Sequence, residues 1–347
     1  MTGVPDVLVV LHTLRAPDGT TRYVDHMLES APTGVEPWTF SWRRALLARY
    51  DVLHVHWPET LVRHPSRPLR AARYGLLLLL LRRLRARRVA VLRTVHNQQP
   101  HESGHRWEGR ALRRLDERTD FWITLNDSTD VPAGAAAMTI PHGHYVGRLA
   151  DGELPAAEHG RLLFFGLLRR YKGVERLVDL VPDLPDDLTL RVVGKPVDAT
   201  VADRVRDAAR RSDRVTANLA FVPDDELAAE VSRAELVVLP YEEMFNSGAV
   251  LVALSLRRPV LVPCSPTTRA LGTEVGPGWV HLYDGELQPD DVVRAVAATR
   301  AGERPPPDLT ARSWADVGRR HAVAYRRALE LRRATPRGAS LVRDGDG

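Results

Sequence analysis

Lysine is almost missing from this chain. Of 49 basic side chains only Lys172 and Lys195 are lysines, and arginine supplies the rest. Such a bias is a property of the genome, and it singles out the two surviving lysines for scrutiny. Cysteine is scarcer still. Cys264 stands alone, which excludes an internal disulfide framework and fits a reducing compartment. Aromatic residues make up 6% of the chain and are not interleaved with the arginines, so the net charge of +5 does not read as a nucleic-acid surface. No apolar run is long enough to span a bilayer. Residues 1–5 have neither the basic start nor the apolar core of a signal peptide, and no solenoid repeat is present. No GxGxxG follows the first apolar strand and there is no Walker A motif, which weighs against hydride transfer and ATP hydrolysis.

What is present is an ordinary soluble composition, with 44% hydrophobic and 27% charged residues. A chain of 347 residues is long for one core, so two domains are expected. Short apolar runs alternate with helical patterns from residue 7 to residue 141. Strands are expected at 7–11, 35–40, 51–56, 88–95 and 121–125, with helices at 21–30, 42–50, 68–88 and 105–117. The spacing is that of βα units and a parallel sheet. The polar stretch ADGELPAAEHG (150–160) breaks the pattern and marks a boundary between domains at 1–150 and 160–306. A second alternation runs through strands at 161–165, 188–193, 215–221, 235–240, 260–262 and 279–282. A long amphipathic helix is expected over 307–333, followed by a disordered tail at 334–347.

The stretch from 234 to 263 organises the second half. A Val- and Leu-rich strand leads into a polar loop, and Asn246 or Ser247 caps a helix that begins at Gly248. Free N–H groups and the positive helix end meet at the carboxyl end of a strand, a natural seat for a diphosphate. An ordinary capped crossover helix has the same signature. The carboxyl ends of the strands in two such halves define the default site.

Several motifs carry a resemblance. FFGLLRRYKGVERLVDL (164–180), NSG (246–248), ALSLRRPVLVP (253–263) and IPHGHY (140–145) resemble the GT-B glycosyltransferases of the glycosyltransferase 4-like group. HVHWPE (54–59) and TVHNQQPHE (94–102) are similar to bacterial GDP-mannose:glycolipid β-1,4-mannosyltransferases. The resemblance implies a GT-B α/β fold of two Rossmann-like domains facing each other across a cleft. It also implies a C-terminal helix that crosses back to the first domain. The implied activity is transfer of a hexose, mannose foremost, from a nucleotide sugar to a saccharide or lipid-linked saccharide, with no metal or other cofactor. The protein would be cytoplasmic and peripheral to the inner face of the membrane. A non-catalytic nucleotide-sugar or glycan-binding protein and a natural-product glycosyltransferase with a soluble aglycone are the alternatives.

By the same resemblance, Gly166, Arg169, Lys172, Gly194, Lys195, Val222, Glu243, Asn246, Ser247 and Gly248 are the donor-binding positions. Two cations beside a leaving diphosphate make chemical sense, because charge develops there as the glycosidic bond breaks. Leu167 occupies the place of the usual Arg, and Arg169 or Arg170 is expected to supply the missing charge. The family's paired glutamates fall at Met244 and Val252, so Ser247 and Gly248 are expected to hold the phosphates through their backbone. His96, Glu59 and Glu102 are the possible bases for an inverting reaction, whereas a retaining one needs none. RAARYGLLLLLLRRLRARR (70–88) reads either as a helix touching anionic lipid or as a buried crossover helix.

Overall fold

A computed structural model describes residues 7–16, 22–96, 106–149, 153–242, 244 and 247–336. The chain divides into two compact units, Met1–His142 with Arg312–Gly347, and Gly143–Ala311. The first boundary therefore falls ahead of the polar break at 150–160. Residues 312–336 belong with the first unit. Of the tail expected at 334–347, Ala334 is the last residue of the C-terminal helix, and residues 337–347 lie outside the described residues.

In the first unit β1 (Leu8–His12), α1 (Arg22–Glu29), β2 (Val35–Thr39), α2 (Trp42–Leu47), β3 (Val52–Val55), α3 (Arg67–Arg87), β4 (Ala90–Val95), α4 (Arg106–Asp116), β5 (Phe121–Thr124) and β6 (Ala137–Thr139) follow one another. The strands form one sheet in the order β2-β1-β3-β4-β5-β6, with parallel pairings throughout. Parallel strands buried on both faces read as continuous apolar runs, and β3 and β5 are buried at every position. The two faces feed separate cores. Leu8, Val10, Val52, Leu92 and Ile123 pack with Trp314, Tyr325 and Leu329 on one side. Leu11, Leu53 and Val91 pack with Leu77, Leu80 and Leu84 of α3 on the other.

The second unit runs β7 (Arg161–Phe165), α5 (Val174–Leu180), β8 (Thr189–Val193), α6 (Ala199–Arg211), β9 (Val215–Asn218), α7 (Asp224–Arg233), β10 (Leu236–Val238), α8 (Gly248–Ser255), β11 (Val260–Pro263), α9 (Pro266–Val275), β12 (Val280–Tyr283) and α10 (Pro289–Arg300). Its sheet has the order β12-β11-β10-β7-β8-β9. α9 has no counterpart in the sequence reading. It opens on a reciprocal cap between Ser265 and Thr268 with Pro266 in its first turn, but it buries only Thr268 and Val275. It therefore lacks a helical apolar stripe. α11 (Trp314–Ala334) then returns to the first unit.

The long leucine run does not produce a helix buried on every side. Leu77, Leu80 and Leu84 are fully covered, whereas Leu69 and Leu79 are each 51% exposed. α3 is thus a crossover helix between β3 and β4 that buries one stripe against the sheet and leaves Leu69 and Leu79 exposed.

Candidate active site

In an open parallel sheet ligands bind beyond the strand carboxyl ends where the strand order reverses. In the second unit that point lies between β7 and β10, and the 166–173 loop and the 239–248 segment leave the sheet there. Two glycines clamp the loop. Gly173 has φ +66°, and a Cβ on it would overlap the Pro240 carbonyl oxygen. Gly194 has φ +144°, and its Cβ would overlap the Gly166 carbonyl oxygen. Only glycine satisfies both the backbone and the close approach. The Leu168 amide donates to the Lys195 carbonyl at 3.0 Å, and the Val197 amide donates back to Leu168 at 3.0 Å. The Glu242 amide donates to the Tyr171 carbonyl at 2.8 Å.

Lys172, in a short turn at Arg170–Lys172, lies 5.0 Å from the centre of the Tyr241 ring. Burial, helped by the nearby Arg169 charge, lowers its pKa to about 8. Among the described residues no ion pair to Arg169 or Lys172 is seen. Two neighbouring cations with no acid paired to them among the described residues make a site suited to an anion. Ser247 caps α8, its Oγ accepting from the Val250 amide at 3.4 Å. Met244 and Val252, where the family pattern wants acids, are 7% exposed and belong to the core. Val222 is core as well, at 8%, while Lys195 is exposed and Leu167 is 45% exposed. Glu243 and Asn246 lie outside the described residues.

In the first unit the strand order reverses between β1 and β3. His12 pairs in register with His54 there, and His56 and His96 follow at the ends of β3 and β4. His96 Nε2 lies 3.2 Å from His56 Nδ1, and His56 Nε2 lies 3.2 Å from His12 Nδ1. His54 stands between Tyr325 Oη at 3.0 Å and Thr94 Oγ1 at 2.7 Å. The His96 ring stacks on Trp57 with centroids 4.3 Å apart. Burial first, then the charges of neighbouring rings and arginines, lowers the pKa of His96 to about 3. Burial and His321 bring His12 to about 3. The same causes hold His54 and His56 well below the ordinary range, so all four rings are neutral at physiological pH.

His12, His54 and His56 offer nitrogens within 4.8 Å of one another, a grouping that could hold a metal. Both nitrogens of His54 already have oxygen partners, so the third ligand is committed elsewhere. Glu59 sits on the turn Pro58–Leu61, where its carboxylate acts on Arg93. Glu102 lies outside the described residues. The sequence reading did not single out His12, His321 or Tyr325. His12 did leave a signal, since VLVVLH and DVLHVH both end apolar strands in histidine.

The family model described as "Glycosyl transferases group 1" matches residues 159–297. A GDP-mannose:glycolipid 4-beta-D-mannosyltransferase of Xanthomonas campestris pv. campestris is 44% identical over 328 residues, covering 94% of this chain and 93% of the relative. The chain belongs to the group 1 glycosyltransferases. Solved structures agree on its fold. Anabaena HepE in complex with UDP and glucose superposes with a TM-score of 0.58 at 15% identity, covering 94% of this chain and 97% of that one. Sucrose-phosphate synthase of Thermosynechococcus elongatus gives 0.59 at 16% identity, covering 93% and 96%. The glycosyltransferase is thus a GT-B protein of two Rossmann-like halves. The loop with Arg169 and Lys172 and the start of α8 fall inside the family match, whereas the histidine cluster lies outside it.

Proposed function

We propose that this glycosyltransferase moves mannose from GDP-mannose to a glycolipid with inversion at the anomeric carbon, without a metal. The observation that carries the reading is the 44% identity, over 94% of the chain, to a relative named for a β-mannosyl product from GDP-mannose. GDP-mannose carries its sugar in the α configuration, so a β product requires inversion and a base. In this reading Lys172, Arg169 and the amides opening α8 receive the diphosphate, and their charge takes the place of a metal ion. His96 takes the acceptor proton.

Among the described residues no helix is long and apolar enough to cross a membrane. A glycolipid acceptor nevertheless calls for contact with a lipid surface. The outer face of α3 suits it, with exposed Leu69 and Leu79 among the exposed Arg67, Arg82, Arg85 and Arg87. Leu47 of α2 and Trp107 of α4, on helices packed against α3, are also exposed.

The reading is tested by thermal-shift titration with GDP, UDP, ADP and TDP, followed by transfer from GDP-mannose to a panel of octyl glycosides in EDTA. GDP should raise the melting temperature most, and NMR of the product should show a β linkage. Stabilisation by UDP alone, or an α-linked product, would overturn it.

A further inference from the structure

The end of α8 away from the diphosphate seat borders a second cavity. β10 and β11 run parallel, so the turn from α7 into β10 and the turn from α8 into β11 both lie at the amino ends of the strands. The 166–173 loop leaves the sheet at the other end. Ser232 sits in the last turn of α7, and Leu256, Arg257 and Arg258 follow α8. With Tyr145, Leu149, Leu154 and Pro155 they enclose about 430 Å³, the size of a small-molecule site. The Tyr145 amide donates to Ser255 Oγ at 2.8 Å, and that hydroxyl donates to the Leu251 carbonyl at 2.6 Å. This ties the 145 segment to the end of α8 and fixes one wall. All of these residues belong to the second unit.

The polar groups around this cavity are left open. Ser232 is 1% exposed, and among the described residues its Oγ has no hydrogen-bond partner. The Nε of Arg258 is buried without one as well. Among the described residues no carboxylate pairs with Arg257 or Arg258. Burial, then the nearby charge of Arg304, lowers the pKa of Arg258. Arg304 itself donates to the Gly278 and Thr299 carbonyls, so it adds positive charge and brings no acid. Glu153 is the acid in the lining, and it is exposed. A guanidinium has five N–H donors and stays charged, and buried polar groups are seldom left without partners. Arg257 adds a further sign. It ends α8 at φ +55°, with its amide on the Leu254 carbonyl at 3.0 Å and the Arg258 amide on the Ala253 carbonyl at 2.8 Å. Helices usually place glycine there. An arginine carries strain that glycine avoids, and here it sets a second cation at the mouth of the cavity.

We infer that this cavity is a second anion site, separate from the diphosphate seat, and that it takes a small organic phosphate. Arg257, Arg258 and Ser232 receive the phosphate, and Leu149, Leu154, Pro155 and Leu256 receive the rest of the molecule. A guanidinium engages two phosphate oxygens at once, so two of them beside a hydroxyl match one phosphate group. Inorganic phosphate alone would leave the apolar wall uncovered. α8 keeps the two sites apart. Ser247 stands at its start and Arg257 ten residues on, which at the helical rise is roughly 15 Å. A phosphate at one end is therefore not the phosphate bound at the other.

The test is calorimetric titration of the full chain with phenyl phosphate, a probe with one phosphate and one apolar ring, in the absence of GDP and at saturating GDP. Phenyl phosphate should bind one site with the same affinity in both. Inorganic phosphate should bind at least about 10-fold more weakly, because it buries no apolar surface. Arg258→Gln should weaken phenyl phosphate about 10- to 100-fold, whereas Lys172→Met, at the diphosphate seat, should leave it within about twofold. Arg257→Gly should weaken it about 10-fold without lowering the melting temperature, since glycine suits that φ. That variant keeps the test alive if Arg258→Gln fails to fold. No binding of phenyl phosphate, its displacement by GDP, or wild-type affinity in the folded arginine variants overturns the second site and leaves the transferase reading intact. Equal affinity for inorganic phosphate overturns it as a site for an organic ligand. Phenyl phosphate that binds as expected while no nucleoside diphosphate binds upholds the second site and counts against the donor reading alone.

Discussion

At the scale of single residues, Lys172 and the buried histidines respond to pH in opposite senses. With a pKa lowered to about 8 by burial and Arg169, Lys172 keeps its charge below that value and loses it as the pH rises through it. A bound diphosphate favours the charged form, so GDP should bind progressively more weakly between pH 7 and pH 9, with proton uptake near pH 8. Calorimetry in buffers of different ionisation enthalpy measures both. Lys172→Met should weaken GDP binding about 10- to 100-fold, the worth of one charged hydrogen bond, and flatten the profile. The histidines act on stability. His12 and His96 sit at about 3 and His321 at about 4, whereas an unfolded histidine titrates near 6.5. Below pH 6.5 the unfolded chain therefore binds more protons, and stability falls as the pH drops toward the folded values. Each ring gives up roughly 2 kcal/mol by pH 5, so several together rival the whole stability of a domain. Melting temperatures should fall steeply between pH 6.5 and 4.5. His12→Gln should make the slope shallower by close to one proton.

At the scale of elements, the 166–173 loop is held by close backbone contacts. Gly173→Ala and Gly194→Ala each place a methyl group against a carbonyl oxygen at positive φ. Each should destabilise the second unit by at least about 2 kcal/mol, read as a lower urea midpoint. The outer face of α3 makes a different prediction. Leu69→Glu with Leu79→Glu should leave the melting temperature nearly unchanged, because both side chains are half exposed. The pair should abolish sedimentation with vesicles rich in phosphatidylglycerol and leave transfer to a short octyl glycoside intact. Much of this level was legible in the sequence. Strands at 161–165 and 260–262 and the helix after Ser247 declared themselves, because apolar period, cap and turn residues agree there. α9 did not, because it buries too little to write a stripe. The two faces of α3 did not either, since six leucines in a row erase the periodicity that tells inside from outside. The histidine cluster was illegible for another reason. It joins the ends of three strands 40 or more residues apart, and α11, 271 residues beyond His54, adds the Tyr325 contact.

At the scale of the whole molecule, the return of α11 makes the first unit depend on the end of the chain. Trp314, Val317, Ala324, Tyr325, Ala328 and Leu329 are buried in the core beneath β1, β3, β4 and β5. Tyr325 also reaches His54 at 3.0 Å. Burying a large apolar side chain is worth about 1.5–3 kcal/mol. Four such residues contribute an amount comparable to the full stability of a domain, about 5–15 kcal/mol. The core of the second unit is built entirely from residues between Tyr145 and Leu309, and it includes no residue of α11. Deleting residues 312–347 should therefore uncouple the two. The first unit should become sensitive to protease, with mannosyl transfer lost. The second should keep a cooperative thermal transition that GDP still raises. Limited proteolysis with and without GDP, followed by mass spectrometry, would show a protected fragment covering residues 143–311. Protection of the first unit in the shortened chain would mean that its sheet holds without α11, and that the helix serves the histidine cluster more than the fold.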